Sequence, residues 1–314
     1  MTNARQSKRP SVAPLPTRDG VGPSCTVLPV GPWSTIAEYL VEQFPAITAD
    51  EWQRRMGQGE VVDAAGLAVD PQRVHEPNLR VYYYRTALIE PRIPFDETIL
   101  FQDEHLVVAD KPHFLPVTPS GRFLQETLLV RLKRKLGIDS LIPLHRIDSG
   151  TAGVVIFAVQ ESTRGAYQAM FRDRVVDKSY EAIAPTHESH VWPLHYESRL
   201  EPDTHFMRTR EVSGEAYAFT TIELIGVSTR RADMAHYRLM PTTGRKHQLR
   251  VQCAALGMAI LNDPIYPVLA PEHDLAAEED FSQPLQLLAR SITFRDPITR
   301  EWRHFVSERQ LAWI

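Results

Sequence analysis

Residues 144–159 read LHRIDSGTAGVVIFAV, a short polar turn that leads into an uninterrupted apolar run. The run at 154–159 has the length and the β-branched content of a buried strand. Asp148 therefore stands in a turn at the mouth of a strand, where a rigid scaffold can hold a carboxylate beside a substrate. A structural role, in which Asp148 caps the turn through Thr151 or the glycine backbone, is equally compatible with this stretch alone.

Strand and helix patterns alternate on both sides of this stretch, from about residue 96 onward. Apolar runs at 106–109 and 180–184 also have the length and composition of buried strands. Gly137 and Gly257 are typical C-terminal stops for two of the helices. Helical periodicity marks three stretches, at 126–136, 161–174 and 246–256. The pattern predicts a mixed α and β domain.

The first 90 residues have a different character. Residues 1–25 contain basic residues and prolines with almost no apolar periodicity, which predicts a disordered tail. Two helices at apolar spacing follow, with Thr48 as a plausible N-cap for the second, and short strand-like runs lie near 61 and 81. We therefore expect three parts: a tail at 1–25, a small module at 26–90 and a main domain at 91–314.

Composition narrows the class of protein. With 314 residues, 43% hydrophobic and 24% charged, the chain resembles an ordinary globular protein. No apolar stretch approaches the roughly 20 residues that a membrane helix needs, and the N-terminus lacks a secretory apolar segment, so we expect a cytoplasmic protein without a membrane partner. Cys25 and Cys253 match no metal or disulfide spacing, which favours a reducing compartment. A net charge of −4 argues against sequence-independent coating of nucleic acid.

A second informative stretch, residues 243–250, reads TGRKHQLR. Arg245, Lys246 and His247 lie at the start of a predicted helix, beside the backbone donors of its first turn. Such an arrangement forms a natural site for a phosphate or a carboxylate. A solvated basic turn is the alternative, and this stretch alone does not decide between them.

The two stretches occur together with three further motifs in a fixed order. The five motifs are Lys111-Pro112 with 115–117, 145–148 with 151–153, 178–180, 244–250 and 262–266. In this order and spacing they resemble the RluA-type pseudouridine synthases, over about residues 96–310. The resemblance implies an α+β fold for 91–314, with a mixed, largely antiparallel sheet flanked by helices around a central catalytic cleft.

The N-terminal helix-helix-strand order also resembles the S4-like module that often precedes this catalytic domain. The RNA-binding helix of that module is usually basic. In this chain the two predicted helices carry Arg54 and Arg55 but also several glutamates, so the region is not clearly basic. An RNA-binding role and a packing role both remain open.

The resemblance implies an isomerase that converts uridine to pseudouridine in a structured rRNA or tRNA stem-loop. The reaction breaks the N1–C1′ bond, turns the uracil and rejoins it through C5, and it requires no metal or other cofactor. Asp148 corresponds to the catalytic carboxylate and Arg250 to the arginine that pairs with it. Tyr180 corresponds to the tyrosine that stacks on the uracil and is a candidate for collecting the C5 proton. We expect the enzyme to act as a monomer.

Further positions correspond to substrate-binding residues. Leu249 would pack on the other side of the base, Arg146 would fill the space left by the flipped uridine, and His145 lies beside it. Phosphate contacts are expected from the basic stretch. Its candidates are Arg245, Lys246 and His247.

Simpler roles remain for several of these residues: Leu249 as a core residue, His145 as a satisfied buried histidine, and Arg250 as a phosphate contact. At the level of the whole protein, one alternative is an RNA-binding protein of this fold without turnover. Another is a hydrolase with Asp148 as nucleophile. That hydrolase would draw its acids or metal ligands from His187, His190 and His195.

Overall fold

The structure is a computed structural model of the chain and describes residues 13–85, 90–187, 189–270 and 280–312. The chain divides into two compact units, and the boundary lies between Glu90 and Pro91. None of the helices in these ranges is long and apolar enough to cross a membrane. Most of the expected tail, residues 1–12, lies outside the described residues.

The first unit combines two helices with a three-stranded antiparallel sheet of order β1-β3-β2. Its elements are β1 (Ser24–Val27), α1 (Ile36–Gln43), α2 (Ala49–Gly57), β2 (Val61–Asp63) and β3 (Arg80–Tyr83). The Thr48 side chain accepts a hydrogen bond from the Glu51 amide, so Thr48 is the N-cap of α2 as predicted. Apolar residues of both helices pack on the sheet around the fully buried Trp52.

The ordered part of this unit begins earlier than the expected tail boundary at residue 25. Ser24 is already the first residue of β1. Further upstream, the Arg18 guanidinium lies 3.8 Å from the centroid of the Tyr84 ring and pairs with Glu60 at 2.9 Å. The Tyr84 hydroxyl donates to the Pro16 carbonyl at 2.7 Å. These contacts give the upstream segment partners that proline content and weak periodicity could not reveal.

The second unit is built on one large sheet that, in the described residues, has eleven strands. The strand order is β10-β9-β11-β12-β8-β13-β7-β5-β4, with β14 paired to β13 and β6 paired to β7. All of these pairs are antiparallel except β13 with β7. The α+β class and the mixed, largely antiparallel sheet are therefore confirmed.

The strands and helices of this unit have the following bounds. The strands are β4 (Thr98–Gln102), β5 (Leu106–Lys111), β6 (Ile142–Pro143), β7 (Ala152–Ala158), β8 (Asp177–Pro185), β9 (Leu194–Pro202), β10 (Thr209–Val212), β11 (Ala218–Val227), β12 (Met234–Pro241), β13 (Leu287–Arg295) and β14 (Trp302–Val306). The helices are α3 (Leu128–Leu136), α4 (Glu161–Arg172) and α5 (Gln248–Ala255).

Two local features place the stretch 144–159. All seven residues of β7 are buried, as the apolar run predicts. Gly153 has a φ of +113°, and a Cβ atom there would lie 2.2 Å from the Ala289 carbonyl oxygen of β13. Only glycine permits this close approach between the two parallel strands. The Asp148 turn therefore leads into β7 where this strand lies beside β13, and these two strands form the one parallel pair among the described strands.

The helix predicted at 246–256 is shorter than expected. It begins at Gln248 because His247 has a φ of +54°, in the left-handed region. This backbone conformation turns the chain sharply between the basic residues and the helix. The basic stretch thus forms a loop before α5 instead of its first turn.

Candidate active site

Asp148 lies in a cleft on the second unit that contains two adjoining cavities. The smaller has a volume of about 110 Å³ and the larger about 960 Å³. Residues common to both linings include Arg146, Asp148, Tyr180, Arg245, His247 and Arg250. The cleft therefore gathers residues from the Asp148 turn, from β8 and from the start of α5.

Arg250 links two carboxylates at the floor of the cleft. Its Nη1 donates to Asp148 Oδ2 at 3.0 Å, while Nε and Nη2 donate to the two oxygens of Asp263 at 2.7 and 2.6 Å. The Arg250 side chain is only 5% exposed, whereas that of Asp148 is 32% exposed. Burial opposes the charged guanidinium, but the hydrogen bonds and charge of Asp263, followed by those of Asp148, outweigh it and raise the pKa of Arg250.

Asp263 is a site residue to which sequence reasoning assigned no role. Its side chain is fully buried, and Oδ1 also accepts hydrogen bonds from the amides of Ile265 and Tyr266. A carboxylate with these partners is held rigidly. Asp263 thereby fixes the position of the guanidinium that contacts Asp148. The only sequence signal was its membership in the motif at 262–266.

His247 lies beside the Asp148 carboxylate, whereas the sequence predicted it as a phosphate contact. Its Nε2 is 3.8 Å from Asp148 Oδ1, and its Nδ1 is 3.0 Å from the Tyr266 hydroxyl. Burial lowers the pKa of His247, with Arg250 and Lys246 acting in the same direction and Asp148 opposing them. A neutral imidazole beside Asp148 is therefore favoured.

Tyr180 and Leu249 both line the smaller cavity, together with Asp148. Tyr180 lies on β8, and burial together with the negative charge of Asp148 raises the pKa of its hydroxyl. Leu249 is 8% exposed and also belongs to a hydrophobic core cluster. The core role considered for Leu249 and a role as a cavity wall therefore coexist.

His145 and Arg146 have contrasting surroundings. The His145 Nε2 accepts the Ile156 amide at 3.2 Å, and its ring stacks on Phe171 with centroids 4.9 Å apart. Burial, with a contribution from Lys178, lowers the pKa of His145 to about 3. These contacts suit a structural role for His145, but the residue also lines the larger cavity, so both of its expected roles remain open. Arg146 is exposed, lines both cavities, and forms no hydrogen bond or ion pair with the residues the structure describes.

Arg245 and Lys246 are exposed at the edge of the cleft. The Arg245 guanidinium lies 4.8 Å from the centroid of the Tyr217 ring. Lys246 Nζ donates to the Phe206 carbonyl at 2.9 Å. Neither residue forms an ion pair within the described parts of the chain, so both retain their charge for an anionic ligand.

A buried lysine restrains the turn that carries Asp148. Lys111 is fully buried, and its Nζ donates to the carbonyl oxygens of Pro112, Leu115 and Ser149 at 2.9, 2.7 and 2.9 Å. Burial lowers its pKa. Because Ser149 follows Asp148 directly, these bonds restrict the turn that carries the carboxylate. Lys111 was quoted as a motif residue, but its anchoring role was not predicted.

Two buried glutamines attach α5 to the sheet. Gln248 Oε1 accepts from Thr243 Oγ1 at 2.8 Å, and its Nε2 donates to Thr220 Oγ1 at 3.0 Å. One turn later, Gln252 accepts from Thr220 at 2.6 Å and donates to Ser198 Oγ at 2.9 Å. A set of satisfied buried polar groups of this kind fixes one arrangement of helix and strands. Arg250 lies between the two glutamines and is positioned with them.

The histidines considered as metal ligands do not assemble. His195 lies on β9 and contacts Thr221 Oγ1 at 3.0 Å, whereas His187 and His190 stack on each other. Within the described ranges, no group of three or more His, Cys, Asp or Glu residues could hold a metal ion.

Comparison with known proteins identifies a family. The family model for RNA pseudouridylate synthases matches residues 105–255, which include the Asp148 turn and α5. The chain is 30% identical over 216 residues to an RNA pseudouridine synthase of Synechocystis sp., covering 68% of this chain and 73% of that protein. It is 32% identical over 229 residues to the dual-specificity RNA pseudouridine synthase RluA of Pasteurella multocida, covering 70% of this chain and 97% of that protein.

A solved structure shares the fold. The human protein RNA pseudouridylate synthase domain containing 1 superposes with a TM-score of 0.55 at 19% identity, over 70% of this chain and 86% of its own. This likeness shows the fold, whereas the sequence relatives and the family model identify the family. This chain belongs to the RluA-type family of RNA pseudouridine synthases, which are isomerases that act on RNA.

Proposed function

We propose that the protein isomerises specific uridines in a structured rRNA or tRNA stem-loop and that Asp148 is its catalytic carboxylate. One observation carries the assignment of Asp148. Its Oδ2 is fixed by Arg250, while Oδ1 faces the cavity region near His247 and accepts no hydrogen bond from the described residues. An ionised, oriented carboxylate with one free oxygen can act on a substrate in the cavity.

The chemistry assigns distinct tasks to these residues. Asp148 attacks the sugar or the base, or removes the 2′ proton, and the N1–C1′ bond breaks. The freed uracil then turns, forms the C5–C1′ bond and loses its C5 proton. Arg250 holds and orients the Asp148 carboxylate before it reacts. Tyr180 and Leu249 bound the space in which the base turns.

The raised pKa of Tyr180 restricts its role at the start of the reaction. At neutral pH its hydroxyl is protonated, so the residue offers a ring face and a hydrogen-bond donor. The ring face suits stacking on the uracil. Collection of the C5 proton by Tyr180 is a later step, in which the hydroxyl gives up its own proton to another acceptor as it takes the one from C5.

RNA binding is assigned to the exposed cations of the cleft. Arg245 and Lys246 contact phosphates, and Arg146 enters the space left by the target uridine, because it has no competing partner within the described residues. His145 supports Arg146 by fixing the turn through Ile156 and Phe171. His247, which lies beside the Asp148 carboxylate, is also assigned to substrate binding.

The other expectations from sequence are retained as proposals. These are a cytoplasmic monomer, an S4-like module at 26–90 and a catalytic domain at 91–314. Free Cys25 and Cys253 are compatible with a reducing compartment. The helix-helix-strand order of α1, α2 and β2 supports the S4-like assignment.

Tritium release from cellular RNA labelled at uracil C5 tests the proposal. The full chain should release tritium from an rRNA or tRNA fraction, and Asp148→Asn should abolish release without unfolding the protein. Asp233→Asn, in an exposed pair with Arg231 that lies outside both cavities, is the matched control and should be fully active. Release that persists in Asp148→Asn, or no release from any fraction, would contradict the proposal.

Two further measurements separate the alternatives and identify the target. Ester or phosphate hydrolysis that a chelator inhibits would favour the hydrolase, and RNA binding without tritium release would favour the non-catalytic binding protein. Mapping of pseudouridines in a deletion strain would identify the RNA and the position.

A further inference from the structure

Phe206 lies at the edge of the catalytic cleft with 79% of its surface exposed. It lines the larger cavity together with Asp148 and Arg146. Single exposed apolar residues are common on protein surfaces. Trp302, for example, is 71% exposed but lines neither cavity. Phe206 differs because its exposed ring belongs to the cleft that would receive RNA.

The loop that carries Phe206, residues 203–208, is held in a fixed conformation. The Phe206 carbonyl accepts a hydrogen bond from Lys246 Nζ at 2.9 Å. The Arg208 amide donates to the His205 carbonyl at 2.9 Å, and Arg208 Nη2 donates to the Pro267 carbonyl at 3.1 Å. The ring is therefore presented by an ordered loop, and less conformational entropy is lost when a ligand binds.

The same loop is connected to the catalytic residues through Tyr266. The amide of Thr209, immediately after the loop, donates to the Tyr266 hydroxyl at 2.8 Å. That hydroxyl is 3.0 Å from His247 Nδ1, and His247 Nε2 is 3.8 Å from Asp148 Oδ1. The loop that carries Phe206 is thus connected to the neighbourhood of Asp148 through Tyr266 and His247.

The Phe206 ring also has one face supported and one face available. His205 stacks against it, with ring centroids 5.0 Å apart and an interplanar angle of 30°. The high exposure of Phe206 leaves the opposite face open. A supported ring with an open face is the arrangement on which a planar nucleobase stacks.

We propose that Phe206 is a stacking platform for an unstacked nucleobase that neighbours the target uridine in the RNA. The inference rests on the proposed function, because a uridine extruded into the small cavity loses contact with its neighbours. Lys246, Arg245 and Arg146 line the same cavity and neutralise the phosphates on either side. The platform would select an unpaired, flexible strand and would tolerate any base, since every base has a stacking face.

The test uses the full chain and a set of short single-stranded RNAs that each contain one uridine. In each RNA, one position beside the uridine carries either a base or an abasic site. Affinities are measured by fluorescence anisotropy at one salt concentration for wild type, Phe206→Ala, Phe206→Tyr and Trp302→Ala. Thermal unfolding of each variant verifies that the fold is retained.

We expect Phe206→Ala to weaken binding by about 5- to 150-fold, the range for loss of one base-aromatic stack. Phe206→Tyr should restore most of the affinity, and Trp302→Ala should bind as wild type does. An abasic site at one neighbouring position should weaken wild-type binding similarly but should add little to Phe206→Ala. Such coupling is the signature of direct stacking.

Several results would overturn the inference. They are an unchanged affinity of Phe206→Ala, a Phe206→Tyr variant no better than alanine, an equal loss in Trp302→Ala, or losses that multiply at every abasic position. Tritium release separates the two proposals. If wild type releases tritium but no coupling is found, only the platform is wrong; if coupling is found without tritium release, the proposed catalysis is wrong.

Discussion

The guanidinium of Arg250 gives two hydrogen bonds to Asp263 and one to Asp148. Asp263 is fully buried, whereas Asp148 is partly open to the cleft. The two carboxylates therefore have different roles. Asp263 supplies a rigid counter-charge that fixes the arginine, and the arginine in turn orients the carboxylate that lines the cleft.

Asp263→Asn should reduce catalysis although Asp263 lies behind the reacting groups. The amide keeps the shape but removes the charge, so Arg250 is less firmly held and can shift toward Asp148. We expect kcat to fall by roughly 10- to 100-fold with a small change in KM. The fold should lose about 3 kcal/mol, because a buried ion pair is broken. Steady-state kinetics and urea unfolding measure both effects.

A surface pair provides the control for this variant. Asp233 pairs with Arg231 at 2.8 Å on an exposed turn, and Asp233→Asn should leave activity and stability unchanged. Equal kinetics for Asp263→Asn and wild type would show that Arg250 does not need its second partner.

Arg250→Lys should be severely impaired although it conserves charge. A lysine ammonium lacks the planar fork that reaches both Asp263 oxygens and Asp148 together. We expect kcat/KM to fall by at least about 100-fold, which single-turnover tritium release would measure. Arg238→Lys, whose pair with Glu223 is exposed and lies outside both cavities, should remain active. An active Arg250→Lys would mean that charge alone suffices at this position.

The sequence pattern was informative where local chemistry dominates. Apolar runs identified β5, β7 and β8, and Gly137 does end α3 in a left-handed conformation. These elements follow from side-chain periodicity and backbone preference, which are local properties. The pairing of Asp148 with Arg250 joins residues 102 positions apart, and it could be anticipated only through resemblance to a family.

Other features depend on the tertiary structure and carry no local signal. Asp263 in its Asn-Asp-Pro setting reads as a turn residue, and it does accept turn amides; its second task, holding Arg250, requires α5 to lie beside it. The start of α5 was misplaced because His247 has a positive φ, which its residue type alone does not predict. The hydrogen bond from the Ile156 amide to His145 depends on how β7 lies against the turn, and no local pattern indicates it.

Gly153→Ala should disrupt both the fold and the site. The new methyl group would lie 2.2 Å from the Ala289 carbonyl oxygen, and a φ of +113° is strained for any residue with a side chain. We expect destabilisation of at least about 2 kcal/mol and loss of activity. Differential scanning calorimetry and tritium release measure these effects.

A second glycine offers the opposite outcome under the same substitution. Gly165 lies inside α4 with open space where a Cβ would be, so Gly165→Ala should stabilise the protein by roughly 0.5 to 1 kcal/mol and preserve activity. A Gly153→Ala protein as stable as wild type would show that β7 and β13 can separate without cost.

Stability should decline in mildly acidic solution because of buried neutral histidines. The pKa of His145 is lowered to about 3 from 6.5, so between these values the unfolded chain binds a proton that the folded chain does not. Stability is therefore complete above about pH 6.5 and falls as pH decreases. From pH 6.5 to pH 5, His145 alone should cost about 2 kcal/mol.

Denaturant unfolding at several pH values measures this effect. His145→Gln, which can still accept the Ile156 amide, should reduce the slope of stability against pH by about one proton. His113, whose pKa burial lowers to about 4, contributes in the same sense and will leave a residual slope. An identical slope in wild type and His145→Gln would show that His145 titrates normally.

The hydrogen bonds of Gln248 and Gln252 to Thr220 and Ser198 have a consequence for how related enzymes could change targets. A helix locked to its sheet by matched donors and acceptors cannot slide or rotate by a fraction of a turn, since every intermediate position leaves a polar group unpaired. The part of the cleft that α5 and its neighbouring strands form is therefore held in one arrangement. New RNA targets would have to be accommodated by substitutions in the surrounding loops, which can vary independently of the chemistry.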